Sequence, residues 1–296
     1  TDIWNGPSLR GGHGAMWADV DGDGKPDLYM PLIISGSLPD LFLHNKGGGT
    51  FVEEGSLRGI ADIDGGSHGA AWCDLDNDGD YDLINGTTFD DGRGIQNDVF
   101  RNDGHGRFVE MKIRDIELRH EATRAFISFD LDRDGDLDLF GVSNYQGSAD
   151  PPNERNEVYR NDGDFRFTSI TAGDLHTAPA GQGATDTDFD GDGDIDVLAA
   201  NRTGPLNILR NDGDGHFTLV DPSSIGIRHR ARDGITSADV DNDGDLDLLL
   251  YGSGGRAHLY MNDGDGHFTY SQSFTGAGYM GGLVDLDNDG DLDLYF

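Results

Sequence analysis

The sequence predicts an all-β fold, a β-propeller built from four-stranded blades. Three features predict it: an aspartate-rich pattern that occurs six times, a glycine-containing turn pattern between these copies, and short apolar segments that flank both. The copies begin 46 to 58 residues apart, which suits one four-stranded blade and exceeds the period of most solenoid repeats. We therefore expect six blades in a single β-propeller domain over residues 1–296.

The composition limits which partners and compartments fit the chain. The 56 acidic residues against 21 basic ones give a net charge of −35, which disfavours nucleic acid as a partner. No run of apolar residues has the length of a membrane-crossing helix, so we expect no membrane insertion. The chain begins with Thr1 and shows no secretory signal, which favours a mature or trimmed product. The single cysteine, Cys73, excludes an internal disulfide, and its apolar neighbours predict a buried thiol.

Each copy of the aspartate-rich pattern has carboxylates at positions 1, 3, 5 and 9 and glycine at position 6. We call the copies aspartate loops 1 to 6, and they begin at Asp19, Asp74, Asp130, Asp188, Asp239 and Asp285. Ca²⁺ takes roughly six to eight oxygen ligands from carboxylates and backbone carbonyls, and glycine allows the sharp turn that such a loop needs. An EF-hand is excluded, because position 12 lacks the bidentate glutamate in every copy. We therefore expect about six Ca²⁺ ions, each in a hairpin between two antiparallel strands.

The ligand set follows from the pattern and from its one exception. Position 7 is aspartate in five copies but Lys25 in loop 1, so we expect this position to ligate through its backbone carbonyl. A solvated acidic turn without metal is the alternative, and six matching copies disfavour it. The predicted ligands are Asp19, Asp21, Asp23, Lys25 and Asp27; Asp74, Asp76, Asp78, Asp80 and Asp82; Asp130, Asp132, Asp134, Asp136 and Asp138; Asp188, Asp190, Asp192, Asp194 and Asp196; Asp239, Asp241, Asp243, Asp245 and Asp247; and Asp285, Asp287, Asp289, Asp291 and Asp293, with Lys25, Asp80, Asp136, Asp194, Asp245 and Asp291 acting through the backbone.

A second motif recurs between the aspartate loops and predicts a tight turn between the outer strands of each blade. Its copies are "RNDGHGRF" from Arg101, "RNDGDFRF" from Arg160, "RNDGDGHF" from Arg210, "MNDGDGHF" from Met261 and the weaker "HNKGGGTF" from His44. Asn-Asp-Gly between apolar runs is a hairpin signal, and this interpretation is preferred to an additional metal or sugar site. The aromatic residues Trp17, Trp72 and Phe129 are expected to pack neighbouring sheets against each other.

The combination "HGAAWCDLDNDGDYDL" and "NDVFRNDGHGRF", over 68–83 and 97–108, resembles the FG-GAP/VCBS repeats of integrin alpha-chain propellers and many secreted proteins. It is most similar to the branch of that family with cartilage acidic protein and UnbV-type members. The resemblance covers nearly the whole chain and implies calcium-binding loops in a propeller of usually seven blades. Because this sequence has six loops, part of a seven-bladed propeller is the alternative to six blades. In a six-bladed ring, residues near Ile3 and Trp4 are expected to supply the outer strand of the last blade.

A ligand would be recognised by loops at the end of the sheets opposite the aspartate loops, since these loops vary in length and composition. Polar residues expected near the axis on that side could form a pocket for a sugar or an acidic peptide, although solvated loop residues are the alternative reading. They are His13, His68, Glu121, Arg124, Gln182, Arg232 and Tyr279. The basic stretch "RHRAR" over 228–232 could contact an anionic glycan or neutralise neighbouring acid.

Three classes of function remain open because a propeller scaffold does not dictate activity. The preferred one is a non-catalytic binding or adhesion module for protein or glycan ligands. The alternatives are a structural subunit in a larger surface assembly and an enzyme that resembles polysaccharide lyases, for which no convergent base and charge-neutralising pair stands out. Six stabilising calcium sites favour an extracellular or cell-surface location, or a periplasmic one. Asn85 and Asn201 begin glycosylation sequons, and chance occurrence is the preferred account of them.

Overall fold

The computed structural model consists of five four-stranded sheets, one two-stranded sheet and short helical turns. The residues that it describes are 14–32, 39–61, 66–88, 97–117, 123–143, 156–178, 181–202, 204–213, 215–252, 254–277, 281–285 and 289–295. The strands are β1 Met16–Ala18, β2 Asp27–Met30, β3 Leu41–Gly47, β4 Thr50–Glu53, β5 Ser67–Cys73, β6 Asp82–Thr87, β7 Asp98–Asn102, β8 Phe108–Met111, β9 Thr123–Phe129, β10 Asp138–Ser143, β11 Glu157–Asn161, β12 Phe167–Ser169, β13 Ala184–Thr187, β14 Asp196–Ala199, β15 Asn207–Asn211, β16 Phe217–Val220, β17 Gly234–Ala238, β18 Asp247–Gly252, β19 Arg256–Asn262, β20 Phe268–Thr275, β21 Gly282–Val284 and β22 Asp293–Tyr295.

Each four-stranded sheet takes its strands in chain order, from β1 to β4, β5 to β8, β9 to β12, β13 to β16 and β17 to β20. We call these sheets blades 1 to 5. The Asn-Asp-Gly motifs connect the third and fourth strands, which pair antiparallel in all five blades, as predicted. A single helical turn follows the fourth strand in four blades: α1 Gly55–Arg58, α2 Arg114–Glu117, α3 Asp174–Thr177 and a 3-10 turn at Pro222–Ile225. These helical turns were not predicted from the sequence.

The prediction of six blades is corrected to five. Among the described residues, the sixth unit contributes only the two-stranded sheet of β21 and β22. The residues near Ile3 and Trp4, expected to complete a last blade, lie outside the described residues.

The chain divides into two compact units, one of Thr1–Asn144 with Tyr159–Ile170 and one of Tyr145–Val158 with Thr171–Phe296. In the first unit, apolar clusters form where neighbouring sheets face each other, and one contains Tyr29, Phe42, Leu83 and Phe108. The second unit has an equivalent cluster between blades 4 and 5, with Leu198, Leu248 and Phe268 among its members. Burial of these side chains in both units is the main apolar contribution to their stability. The single-domain organisation over 1–296 stays a prediction.

The two predicted packing tryptophans occupy different environments. Trp72 is partly buried against blade 1, where its ring lies 5.9 Å from Tyr29 and its Nε1–H donates to the Met16 carbonyl at 3.3 Å. Trp17, at the matching place in blade 1, is 51 % exposed, so the prediction that it packs between sheets was wrong. Its ring instead lies 5.9 Å from that of Phe51 in the same blade, in an edge-on arrangement. Phe129 is buried, as predicted, and so is Cys73.

The small residues of the innermost strands allow close backbone approach. A Cβ atom added at Gly69 of β5 would lie 2.3 Å from the carbonyl oxygen of Arg124 in β9. Real Cβ atoms do not approach a carbonyl this closely, so Gly69 sets the spacing of blades 2 and 3 at their inner edge.

Candidate metal centre in the aspartate loops

The aspartate loops connect the first and second strands of the blades. Residue 9 of each loop is the first residue of the second strand and pairs with the last residue of the first strand, as Asp82 does with Cys73. The same register joins Asp27 to Ala18 and Asp138 to Phe129. Each loop is therefore a hairpin connection, and its ends are held by the antiparallel ladder.

Hydrogen bonds from the backbone fold each loop around its first carboxylate. In loop 2 the amides of Asp78 and Gly79 donate to the two carboxylate oxygens of Asp74, at 3.1 and 3.0 Å. The amide of Asp80 donates to Asp78 at 3.1 Å. The same three bonds occur in loops 1, 3, 4, 5 and 6. Positions 1 and 5 therefore shape the loop as well as supplying charge.

The backbone is left-handed at position 6 in all six loops and at position 4 in loops 1 to 5. Glycine at position 6 has φ between 82° and 101° in all six loops, and a Cβ atom added at Gly79 would meet nothing within 4 Å. Glycine is thus required here for its backbone freedom and not for space. Position 4 is also left-handed, with φ of 57° at Asn77 and 63° at Arg133. The sequence signal for it, glycine or asparagine in most copies, was not used in the prediction.

The loops bring the carboxylates of positions 1, 3 and 9 together. Each of three loops has one oxygen from each of these positions within 4.8 Å of the others: Asp74, Asp76 and Asp82; Asp130, Asp132 and Asp138; and Asp188, Asp190 and Asp196. Loop 1 has two groups of different composition, one of Asp19, Asp21 and Asp23 from positions 1, 3 and 5, and one of Asp21 and Asp27 from positions 3 and 9 with His44. The loop 6 residue Asp287 lies outside the described residues. Three carboxylates at this separation repel each other unless a cation lies between them.

Some of the convergent oxygens are buried and receive no hydrogen bond. These oxygens are Asp21 Oδ1, Asp27 Oδ2, Asp76 Oδ1 and Asp190 Oδ1. A buried carboxylate oxygen without a donor is costly and is seldom left so in a folded protein. The donor set, all oxygen except in loop 1, fits a hard divalent cation such as Ca²⁺. The residues present therefore fit the predicted ion.

The pKa values of the same groups reflect their crowding in the metal-free protein. Burial raises the pKa of Asp82, Asp138 and Asp196 at position 9 to about 7, although backbone amides that donate to them oppose the shift. Burial also raises the pKa of Asp76 and Asp190 at position 3, and the neighbouring aspartates add to the effect. Loops 2, 3 and 4 are therefore electrostatically unfavourable without a cation when these aspartates are ionised.

The side chains at position 7 lie beside the next turn of their own blade. A Cβ atom added at Gly104 would come within 2.3 Å of Asp80 Oδ2, and Gly213 and Gly264 approach Asp194 and Asp245 in the same way. This placement agrees with the expectation that position 7 ligates through its backbone, which stays a prediction.

Loop 1 differs from the others in the cations around it. His44 Nε2 lies 3.1 Å from Asp21 Oδ2, and Arg58 Nη2 lies 3.0 Å from the same oxygen. Lys25 pairs with Asp23 at 2.5 Å. In loop 2, Arg101 takes the place that His44 has in the turn motif of blade 1, and it pairs with Asp76 at 2.8 Å. The chain thus supplies part of the positive charge near its own loops.

In blades 2, 3 and 5 the asparagine of the turn motif holds neighbouring aspartate loops together, a role that the turn interpretation missed. In blade 3 the amide of Asn161 donates to the position-9 carboxylate of Asp138 at 2.7 Å. Its side-chain Nδ2 donates to the carbonyl of Leu137 in its own loop at 3.1 Å and to that of Leu75 in the preceding loop at 2.8 Å. Asn102 and Asn262 make the same links to Val20 and Phe189, at 2.8 and 3.0 Å.

Replacing this asparagine should destabilise two loops at once. We expect Asn161→Ala to lower the free energy of unfolding by about 2–3 kcal/mol, because it leaves the buried carbonyl of Leu75 and the partly buried carbonyl of Leu137 without their donor. Arg166→Ala, at an exposed position of the same turn, is the matched control and should change it by less than about 0.5 kcal/mol. Urea unfolding in excess Ca²⁺ measures both variants, and equal stabilities would contradict the linking role.

The residues of the predicted ligand pocket are only partly brought together. His68 and Arg124 are in contact: the two ring nitrogens of His68 lie 3.0 Å from the Arg124 carbonyl and 2.9 Å from its Nη1. In the other compact unit, the backbone N–H of Gln182 donates a hydrogen bond to the Ala200 carbonyl, and Arg232 Nε lies 3.9 Å from Asp233 Oδ2. His13, Glu121 and Tyr279 lie outside the described residues. The pocket as a whole stays a prediction.

None of the helices in the part of the chain that the structure describes has the length and apolar character needed to cross a membrane.

Comparison with known proteins identifies the repeat. Residues 188–250 match the family model described as FG-GAP-like repeat. The chain is similar to "Cartilage acidic protein 1" of Xenopus tropicalis, with 26% identity over 84% of this chain and 41% of the relative. With the protein of the same name from Mus musculus it shares 29% identity over 59% of this chain and 27% of the relative. The chain therefore spans less than half the length of these curated relatives.

A solved structure shows the fold. The BP39L lectin from Burkholderia pseudomallei superposes with a TM-score of 0.58 at 15% identity, over 93% of this chain and 75% of the lectin. With the five four-stranded antiparallel sheets, this likeness establishes an all-β β-propeller. Residues 188–250 therefore match an FG-GAP-like repeat, and the similarity to cartilage acidic protein 1 supports the resemblance to FG-GAP repeats that the sequence motifs predicted.

Proposed function

We propose that this protein is a calcium-stabilised, non-catalytic binding module that works outside the cell. The observation that carries the proposal is the convergence of the carboxylates at positions 1, 3 and 9, with buried oxygens that receive no hydrogen bond. Six Ca²⁺ ions would bring twelve positive charges to a chain of net charge −35. Weak extracellular calcium sites operate at ~10⁻⁴–10⁻³ M, a level found outside cells and not in the cytosol.

The binding role is assigned to the loops at the opposite end of the sheets. The aspartate loops occupy one end of each blade and hold the first two strands together, so the connections at the other end are free to vary. The likeness to a lectin supports a glycan as ligand, and a protein ligand or a neighbouring subunit of a surface assembly uses the same end in the alternatives. The chain's role within any longer protein is part of the proposal.

The calcium part of this function is tested by stoichiometry. Calorimetric titration of chelator-treated protein with Ca²⁺ should give about six ions per chain, and Asp82→Asn should lose one of them. The amide at position 82 would still accept a hydrogen bond from Leu75 or Asn102 but would lack the negative charge that holds a cation. Asp115→Asn, an exposed residue outside the loops, is the control and should keep all sites. An unchanged titration of Asp82→Asn would contradict the assignment of this ligand.

The binding part is tested by a glycan array probed in millimolar Ca²⁺ and again in chelator. We expect calcium-dependent binding of intact glycans, with no unsaturated products released. Release of unsaturated sugars would instead show a lyase, and a large assembly without glycan binding would favour a structural subunit.

A further inference from the structure

A basic pocket lies in the second compact unit, although acidic residues outnumber basic ones 56 to 21 in the chain. The cavity measures about 430 Å³, within the usual ~300–1,000 Å³ of small-ligand sites. Its walls include Arg202, Arg228, Arg230, Arg232, His229 and His258. So many cationic side chains in one pocket repel each other unless an anionic ligand or a neighbouring acidic residue neutralises them.

The pocket lies at the end of blades 4 and 5 that is opposite their aspartate loops. Arg202 follows β14, and the stretch 228–232 precedes β17, whereas the aspartate loops 4 and 5 precede β14 and follow β17. His258 reaches the pocket from β19. The basic pocket is therefore built from the connections to which the binding role is assigned.

A neighbouring aspartate, Asp233, neutralises only part of the positive charge of the pocket. Arg202 and Arg232 lie 3.1 and 3.9 Å from the carboxylate of Asp233, so these two guanidinium groups share a single negative charge. Arg228 and Arg230 have no carboxylate partner in the described part of the chain. Four arginines against one aspartate leave the cavity strongly positive, with two guanidinium groups available to a ligand.

One wall of the pocket is a rigid platform of rings. His229 stacks on His258 with ring centroids 3.9 Å apart and planes within 6° of parallel. The buried hydroxyl of Tyr260 holds His229 in place. It lies 2.6 Å from Nδ1 of His229 and accepts hydrogen bonds from the backbone N–H groups of Arg228 and His229. Tyr270, outside the pocket lining, packs against His229 with ring centroids 5.0 Å apart. Such ring faces present apolar surface beside the positive charges.

We propose that this basic pocket binds an acidic saccharide unit, with Arg228 and Arg230 pairing with its carboxylate or sulfate and the His229–His258 platform contacting the sugar ring. The inference rests on the proposed binding function and names the ligand class for it. A guanidinium group matches the geometry of both anions in a bidentate manner. Because the net charge of −35 repels a long polyanion elsewhere on the surface, the recognised unit is a chain end or an isolated acidic sugar.

The proposal is tested with calcium-loaded protein by calorimetry. The probes are a glucuronic acid disaccharide, a sulfated N-acetylglucosamine, the matching uncharged sugars and inorganic sulfate. We expect at least one of the two acidic sugars to bind, no binding of the uncharged sugars, and a loss of about tenfold or more in the double variant Arg228→Gln/Arg230→Gln. The matched control, Arg107→Gln/Arg114→Gln, changes two exposed arginines of the other unit and should bind like the unaltered protein.

The outcomes separate this proposal from the general binding function. Binding of neutral glycans alone on the array, with none of the acidic probes bound, would overturn the basic-pocket assignment and leave the binding function standing. Acidic-sugar binding that survives in the double variant, with an unchanged melting curve and calcium titration, would also overturn it. Competition by inorganic sulfate at the same concentration as the sugar would contradict the role of the ring platform. Absence of all glycan binding would count against both proposals.

Discussion

Removal of bound metal with excess EDTA should lower the melting temperature by tens of degrees or unfold the protein outright. Without a cation, aspartate loops 1 to 4 each hold three carboxylates within 4.8 Å, and several of their oxygens are buried without a donor. A ligand that binds the folded state alone stabilises it by mass action, and several such sites add their contributions. Chelation should therefore lower the stability of the folded protein by more than any single substitution does.

Circular dichroism melts in EDTA, in Ca²⁺ and after Ca²⁺ is restored measure this effect. We expect full recovery with Ca²⁺ and poor recovery with Mg²⁺ at equal concentration, because Mg²⁺ requires near-octahedral geometry and gives up its water reluctantly. A melting curve that is the same in EDTA and in Ca²⁺ would refute metal-dependent stability.

Mild acid should stabilise the metal-free protein. The pKa values of Asp82, Asp138 and Asp196 are raised to about 7 by burial, whereas in an unfolded chain an aspartate ionises near its ordinary value of about 4. A raised pKa contributes stability that is fully present below about pH 4 and is lost as the pH rises through about 7. We therefore expect the melting temperature in EDTA to be about ten degrees or more higher at pH 5 than at pH 8.

The calcium-loaded protein supplies the control for this prediction. Bound Ca²⁺ keeps the loop carboxylates ionised, so acidification weakens metal binding and the difference between the Ca²⁺ and EDTA melts should shrink from pH 8 to pH 5. Below about pH 4, loss of ion pairs such as that of Glu54, whose pKa is lowered to about 2, should destabilise both forms. If the metal-free protein melted at the same temperature at pH 5 and pH 8, this result would contradict the raised pKa values of Asp82, Asp138 and Asp196.

The repeated loops and the blade architecture were predictable because both depend on local patterns. Alternating aspartates with glycine at position 6 fix a loop conformation that nearby residues alone determine, and six copies made the pattern unmistakable. The convergence of positions 1, 3 and 9, in contrast, requires that the second strand begin at position 9, as it does at Asp82. The sequence pattern anticipated this register from the apolar run that follows.

Features that depend on neighbouring sheets were not predictable. Trp17 and Trp72 have the same local sequence context, yet Trp72 packs against blade 1 whereas Trp17 is exposed and contacts Phe51 of its own blade. The link from Asn161 to Leu75 joins residues 86 positions apart, and a turn motif carries no sign of such a partner. The five four-stranded blades, where six were expected, likewise depend on which strands find partners.

The asparagine links also bear on how such a chain can gain or lose repeats. Because Asn102 holds the loop of blade 1 and Asn161 holds the loop of blade 2, an aspartate loop is completed by the sheet that comes after it. A duplication or deletion with its boundaries between two sheets would therefore preserve these hydrogen bonds only under one condition. The sheet that follows the boundary must carry an asparagine at the same position of its turn motif. The interchangeable module of this architecture runs from one loop to the asparagine of the following sheet, so successive modules overlap along the chain.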